Sequence, residues 1–181
     1  RTWHVHSPRG PSYQSTLIFD PEGKRFIAFG GWASESANVR TLALEPIGSG
    51  WVSAGVTSGP RFTNDTQKMT AQRSAYDTKR NRIVYVDTDG SLWELSLSPF
   101  AWRQLSTTGG PPPPRTQYVY DAANDALVGW VASPNIADGE SRPGPRRETW
   151  LLPLSTREWS KGASVGGATA VPPETVYVGY S

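Results

Sequence analysis

A chain of 181 residues is long enough for one sizeable core, and its lack of cysteine excludes a disulfide framework and thiol chemistry. Its 18 Gly, 16 Pro and 8 Trp, with no long helical period, predict an all-β chain rich in turns. A net charge of +2 does not argue for nucleic acid despite a pI near 9.0, and no apolar run approaches the roughly 18–20 residues of a membrane span.

Taken in order, the chain repeats itself. No signal-peptide pattern opens it, and Arg at position 1 fits a processed product or a piece of a longer polypeptide. Residues 1–7 contain Arg1-Thr2-Trp3-His4, which resembles Arg157-Glu158-Trp159-Ser160, so they read as the last strand of a preceding unit. Three full units follow, at about 12–56, 71–106 and 115–162, each with four strands, a to d. Residues 174–181, with the run Thr175 to Tyr180, read as the first strand of a following unit.

Two gap-free alignments carry this division. The first is an aromatic-Asp pair, four residues and a strand: Phe19-Asp20 before Arg25, Tyr76-Asp77 before Arg82, and Tyr120-Asp121 before Ala126. It reads as an a–b hairpin with an Asp-led turn. The second is a strand residue, eight others and a Trp: Leu42 to Trp51, Trp93 to Trp102, and Trp150 to Trp159. It reads as a c–d hairpin, with Leu44, Leu95 and Leu152 in one place. The middle unit is the clearest. Strands end near Tyr76, run over Arg82 to Asp87, Ser91 to Leu97 and Ala101 to Leu105, and are joined by Asp, Asn, Gly, Ser and Pro. The b strands Phe26-Ile27-Ala28-Phe29 and Ile83-Val84-Tyr85-Val86 are apolar without alternation, as strands buried on both faces are. Small residues at Ala28, Gly30 and Gly129 suit crowding near a central axis. The repeated Trp reads as a wedge between neighbouring sheets.

These features resemble kelch repeats, the blades of a kelch-type β-propeller. The resemblance rests on Gly30-Gly31 after strand b, the turns at Asp20, Asp77 and Asp121, and the Trp set at 51, 102 and 159. Pro8-Arg9, Pro60-Arg61 and Pro114-Arg115 ahead of the a strands add to it. The di-glycine is replaced by Asp87-Thr88 and Val131-Ala132 in the later units, and Leu44, Leu95 and Leu152 stand where kelch strands carry Tyr. The resemblance implies all-β blades of four antiparallel strands, about half of a six- or seven-bladed ring at roughly 50 residues per blade. The partner so implied is the remainder of the propeller, in another chain or another copy of this one, because open blades leave apolar faces uncovered.

The long b–c and d–a loops share one face and make it the candidate binding face. Trp32 and Glu35 lie in the first b–c loop; Trp32 is a stacking platform or a cap on the blade. Phe62, Asn64, Asp65 and Lys68 lie in the next d–a loop and could stack on a sugar or grip a peptide, unless Phe62 packs inward. Arg115 precedes the third a strand. Asp138, Glu140, Arg142, Arg146 and Arg147 lie in the longest b–c insertion, as a contact for an acidic partner or as solvated charge. Pro111 to Pro114 is a polyproline ligand or a stiff d–a connection. Asp87-Thr88-Asp89-Gly90 lacks the rest of a calcium loop and reads as a hairpin turn. His4 and His6, at i and i+2, face one way on a strand, but no third ligand stands near enough for a metal site. Gly166-Gly167 is not followed by the Lys-Ser/Thr of a phosphate loop, so no cofactor is expected.

No catalytic group is singled out: no G-x-S-x-G elbow and no Cys–His pair exists. The functional expectation is a recognition scaffold for a protein or glycan. The alternatives are a segment of a secreted propeller enzyme with catalytic groups partly elsewhere, and a structural half that closes into a ring with itself. Composition leans towards a secreted or periplasmic location without fixing it.

Overall fold

Each sheet begins with the same hairpin, and the hairpin begins with an aspartate. The structure, a computed structural model, describes residues 15–30, 41–44, 51–54, 56, 58–60, 62, 73–113, 116–131 and 148–162; at 41–44 and 51–53 it describes backbone alone. In the first hairpin, β1 (Thr16–Asp20) pairs with β2 (Arg25–Phe29), and Asp20 Oδ1 accepts the Gly23 N–H at 2.9 Å. Asp77 Oδ1 accepts the Lys79 and Arg80 N–H groups at 3.1 and 3.2 Å, and Asp121 Oδ1 accepts that of Ala123 at 2.9 Å. A carboxylate that holds these N–H groups replaces the partners the turn takes from them. The chain then needs one left-handed residue to enter strand b. Lys24, Asn81 and Asp125 supply it, with φ of 50°, 47° and 52°. Asn and Asp adopt this conformation more readily than other side chains.

The strands make three antiparallel sheets of four, each in simple sequence order, the up-and-down construction of a β-propeller blade. The first adds β3 (Thr41–Leu44) and β4 (Trp51–Ser53). The second contains β5 (Ser74–Asp77), β6 (Arg82–Val86), β7 (Leu92–Leu97) and β8 (Phe100–Leu105). The third contains β9 (Thr116–Asp121), β10 (Ala126–Val131), β11 (Thr149–Pro153) and β12 (Ser160–Lys161). Leu44, Leu95 and Leu152 pair with Phe26, Ile83 and Leu127, so the gap-free alignment of the units is also an alignment of register. Residues 1–7 and 174–181 lie outside the described residues, as does Gly31.

Alternation along the strands gives every sheet a back and a front. In the second sheet Tyr76, Ile83, Tyr85, Trp93, Leu95 and Trp102 form the back, which packs on Ile18, Ile27 and Phe29 of the first. Ala75, Val84, Val86, Leu92 and Leu105 form the front, which packs on Tyr118, Leu127, Leu152 and Trp159 of the third. Both faces are apolar because both are covered. The a strands of neighbouring sheets come together: Thr16 Oγ1 and Ser74 Oγ meet at 3.3 Å across the first seam.

Trp102 and Trp159 are wedges, each buried between its own sheet and the preceding one. The Trp102 ring stands 5.2 Å from Phe29, 6.0 Å from Phe62 and 6.3 Å from Tyr85 between centroids. Trp93 and Trp150 pack at the edges of the same cores, and Trp51 begins β4 with its side chain outside the described residues. A Cβ on Gly129 would meet Thr116 Cγ2 at 2.8 Å and Tyr118 Cε1 at 3.0 Å, and Gly30 is small because its φ is 67°. Pro111 to Pro113 are a connection: Pro112 is buried, and Pro113 O accepts the Thr116 hydroxyl at 2.7 Å.

Trp102→Ala empties the middle of the first seam and should cost roughly 3–5 kcal/mol. Urea unfolding followed by circular dichroism reads this as a lowered midpoint.

Candidate functional site

The two ends of the blades differ in kind. The a–b and c–d turns end one face, and there the charges are engaged with one another. Asp77, fully buried, accepts Arg80 Nη1 at 3.0 Å and Arg82 Nε at 2.8 Å on Oδ2. Arg82 continues to Glu94 Oε2, and Glu94 Oε1 accepts Arg103 Nε at 2.6 Å. Arg80 crosses to the next blade, its two terminal nitrogens on Asp125 Oδ1 and Oδ2 at 2.8 and 2.6 Å. Asp125–Arg80–Asp77–Arg82–Glu94–Arg103 is therefore one line of alternating charge. Hydrogen bonding to Arg80 holds the Asp125 carboxyl well below the usual range, and the same bond raises the guanidinium. Tyr76 and Tyr120 donate to Asn81 Oδ1 and Asp125 Oδ1 at 2.6 and 2.8 Å, so the aromatic of the aromatic-Asp pair braces the left-handed residue of the turn. Burial first, then neighbouring acids, raises the pKa of Tyr76. At the first seam Arg25 Nη2 donates to Leu97 O at 2.5 Å, and its guanidinium lies 4.3 Å from the Phe100 ring centroid. A carboxylate so fully engaged is a poor general base, and this end is built for cohesion.

The b–c and d–a loops end the other face. At the second blade this end is a tight turn, in which Asp87 N–H donates to Ser91 O at 2.8 Å and Gly90 N–H to Asp87 O at 2.9 Å. Asp89 Oδ1 accepts the Ser91 N–H and hydroxyl at 2.8 and 2.6 Å, which lowers its pKa, so its oxygens serve the turn. Trp93 Nε1 donates to Ser91 Oγ at 3.1 Å, and Tyr85 Oη to Asp87 Oδ1 at 3.3 Å. Arg73, almost fully buried, enters the same turn: Nε donates to Val86 O at 2.7 Å and Nη2 to Asp87 O. No group of three potential metal ligands exists among the described residues.

Of the loop residues read from the sequence, Phe62 is described, and its ring is buried against Phe29, Tyr85 and Trp102. It belongs to the seam and is not offered to a ligand. Trp32, Glu35, Asn64, Asp65, Lys68, Arg115, Asp138, Glu140, Arg142, Arg146 and Arg147 lie outside the described residues, as do His4 and His6. Sequence reasoning passed over Arg73, Tyr118 and the line of alternating charge. One signal was present: Arg73 stands directly before the first residue of its a strand, as Arg115 does before Thr116.

No family model matches the chain. No curated protein matches it either. Among solved structures, the chain is similar to the GH74 xyloglucanase from Xanthomonas campestris at 15% identity and a TM-score of 0.46, over 80% of this chain and 20% of that one. The chain thus spans about a fifth of the length of that structure.

Asp125 tests the interblade ion pair. Its folded-state pKa is depressed, so its contribution is complete above the unfolded value of about 4 and disappears as pH falls below that. Because Arg80 is partly exposed, Asp125→Asn should cost only roughly 0.2–1 kcal/mol at pH 7. That difference from the parent should shrink between pH 4 and pH 2, as read by urea midpoints across the series.

Proposed function

We propose that this chain is an arc of a kelch-type β-propeller that presents its b–c and d–a loops as a recognition surface for a protein or glycan. One observation carries the reading: among the described residues, the two outermost sheets expose large apolar side chains on opposite faces. On the first sheet the bare side is the back, with Leu17, Phe19 and Phe26, and Phe19 is 48% exposed. On the third it is the front, with Val119, Trp130 and Leu151, and Val119 is 47% exposed. In the described seams a front always meets a back. The bare back and the bare front are thus two halves of one more seam, which a further blade of the same build would cover. A second copy of this chain supplies both halves.

Closed in that way, the ring is a rigid support and its variable parts are loops. The turn end is occupied by its own ion pairs, which supports the loop end as the surface free for a partner. Arg142, Arg146 and Arg147 give that surface a basic stretch suited to an acidic partner.

Static light scattering of the purified chain should give about twice 19.7 kDa or a higher multiple. A cooperatively folded monomer would overturn ring closure by a second copy. For recognition, a polyglutamate peptide and a heparin oligosaccharide are the probes, one for each partner class. At low salt at least one should bind. Reversing Arg142, Arg146 and Arg147 to Glu should weaken it at least tenfold with an unchanged melting temperature. Binding of neither probe would overturn the acidic-partner reading.

A further inference from the structure

Buried N–H and O–H groups are almost always matched by an acceptor. Among the described residues, four buried side-chain atoms are not: Arg73 Nη1, Tyr118 Oη, Trp150 Nε1 and Trp159 Nε1. All four belong to the seam between the second and third blades. Arg73 is fixed there by its bonds to Val86 O and Asp87 O, and Val86 is part of the core that contains Tyr118 and Trp159, with Trp150 packed against it. The Tyr118 and Trp159 rings stand 5.9 Å apart.

The second blade shows how this level is normally closed. Its cross-strand row Ser74–Tyr85–Trp93 has Tyr85 donating to Asp87 and Trp93 to Ser91. The matching row of the third blade is Tyr118–Gly129–Trp150. Glycine stands where the second blade has tyrosine, and the Tyr118 ring lies over it. Thr116 is near enough to act on the Tyr118 proton, but its own hydroxyl donates to Pro113 O and the two oxygens do not meet in hydrogen-bond geometry.

What the four atoms lack is an acceptor, and among the described residues Arg73 makes no ion pair. Arg73 is 3% exposed, and its bonds go to carbonyl oxygens. In the adjoining turn Asp87 Oδ1 takes the Thr88 N–H and the Tyr85 hydroxyl and Asp89 Oδ1 takes Ser91, while the charge of Arg73 helps to hold the Asp89 carboxyl low without an ion pair to it. A buried cation with no carboxylate in contact with it is unfavourable. A water molecule would satisfy a hydrogen bond but not the charge. A carboxylate supplies both, because its two oxygens only accept and bonds to them from a guanidinium are strong.

We infer that the seam between the second and third blades holds a binding site for a carboxylate, with Arg73 Nη1 and the Tyr118 hydroxyl as its donors and the Trp150 and Trp159 indoles beside them. Burial pushes the Tyr118 phenol up to about 12 against the pull of Arg73, so it remains a proton donor at every working pH. The inference deepens the recognition reading by naming a ligand chemistry, and it rests on that reading for the face of entry.

The probe is sodium acetate, titrated into the full chain at constant ionic strength against sodium chloride. Indole N–H resonances are followed by NMR, and melting is measured in parallel. The Trp150 and Trp159 signals should shift saturably. Tyr118→Phe, which keeps the ring on Trp159, should weaken acetate binding about tenfold or more while melting cooperatively. Arg73→Gln should abolish the response. Absence of a saturable shift, or equal affinity in Tyr118→Phe, would overturn the site. A chain that binds polyglutamate or heparin but not acetate would sink the site and leave the scaffold reading standing.

Discussion

A four-stranded sheet that is apolar on both faces cannot stand alone in water, and every larger feature of this chain follows from that constraint. Ile83 and Val84 are neighbours in one strand, both are buried, and they face opposite ways into different cores. Stacking sheets front to back satisfies such strands and can continue indefinitely or close on itself. Large aromatics complete the first seam, where Phe29, Phe62, Tyr85 and Trp102 meet edge to face or tilted. Among the described residues, the back of the first sheet and the front of the third are where large apolar side chains remain exposed.

The blades were legible in the sequence because their signals are local. An aspartate that caps a turn, a left-handed residue four positions later, and a Trp nine residues after a strand position are fixed offsets within one hairpin. Register preserved them: Leu44, Leu95 and Leu152 occupy one place in the sheets as they do in the alignment. Strand limits moved by a residue; β7 begins at Leu92 and β8 at Phe100. Contacts between blades were not legible. The Arg80–Asp125 pair spans 45 residues, and no offset within a repeat announces it. Phe62 shows the same limit from the other side. In the sequence it is an aromatic in a polar loop, and its burial depends on Phe29 and Trp102, each at least 30 residues away. The space that Gly129 leaves is taken by side chains of the neighbouring a strand, Thr116 and Tyr118.

The molecule divides its chemistry between its two ends. At the turn end, carboxylates and guanidinium groups neutralise one another along and between blades, which fixes the relative position of neighbouring sheets at modest cost in exposed charge. At the loop end, Arg73 is anchored through two of its three nitrogens and the third is left over. An ion line that is complete and a donor set that is incomplete thus stand at opposite ends of one scaffold.

The central claim is that the bare faces are the two halves of a single seam, and mixing two damaged chains tests it most directly. Phe19→Glu spoils the back of the first sheet, and Val119→Glu spoils the front of the third. Every front-to-back seam between copies needs one sound face of each kind, so each variant alone should sediment near 19.7 kDa. An equimolar mixture should regain about twice that mass, because the sound front of one can meet the sound back of the other. Association that survives in either variant alone, or a mixture no heavier than its parts, would contradict the account.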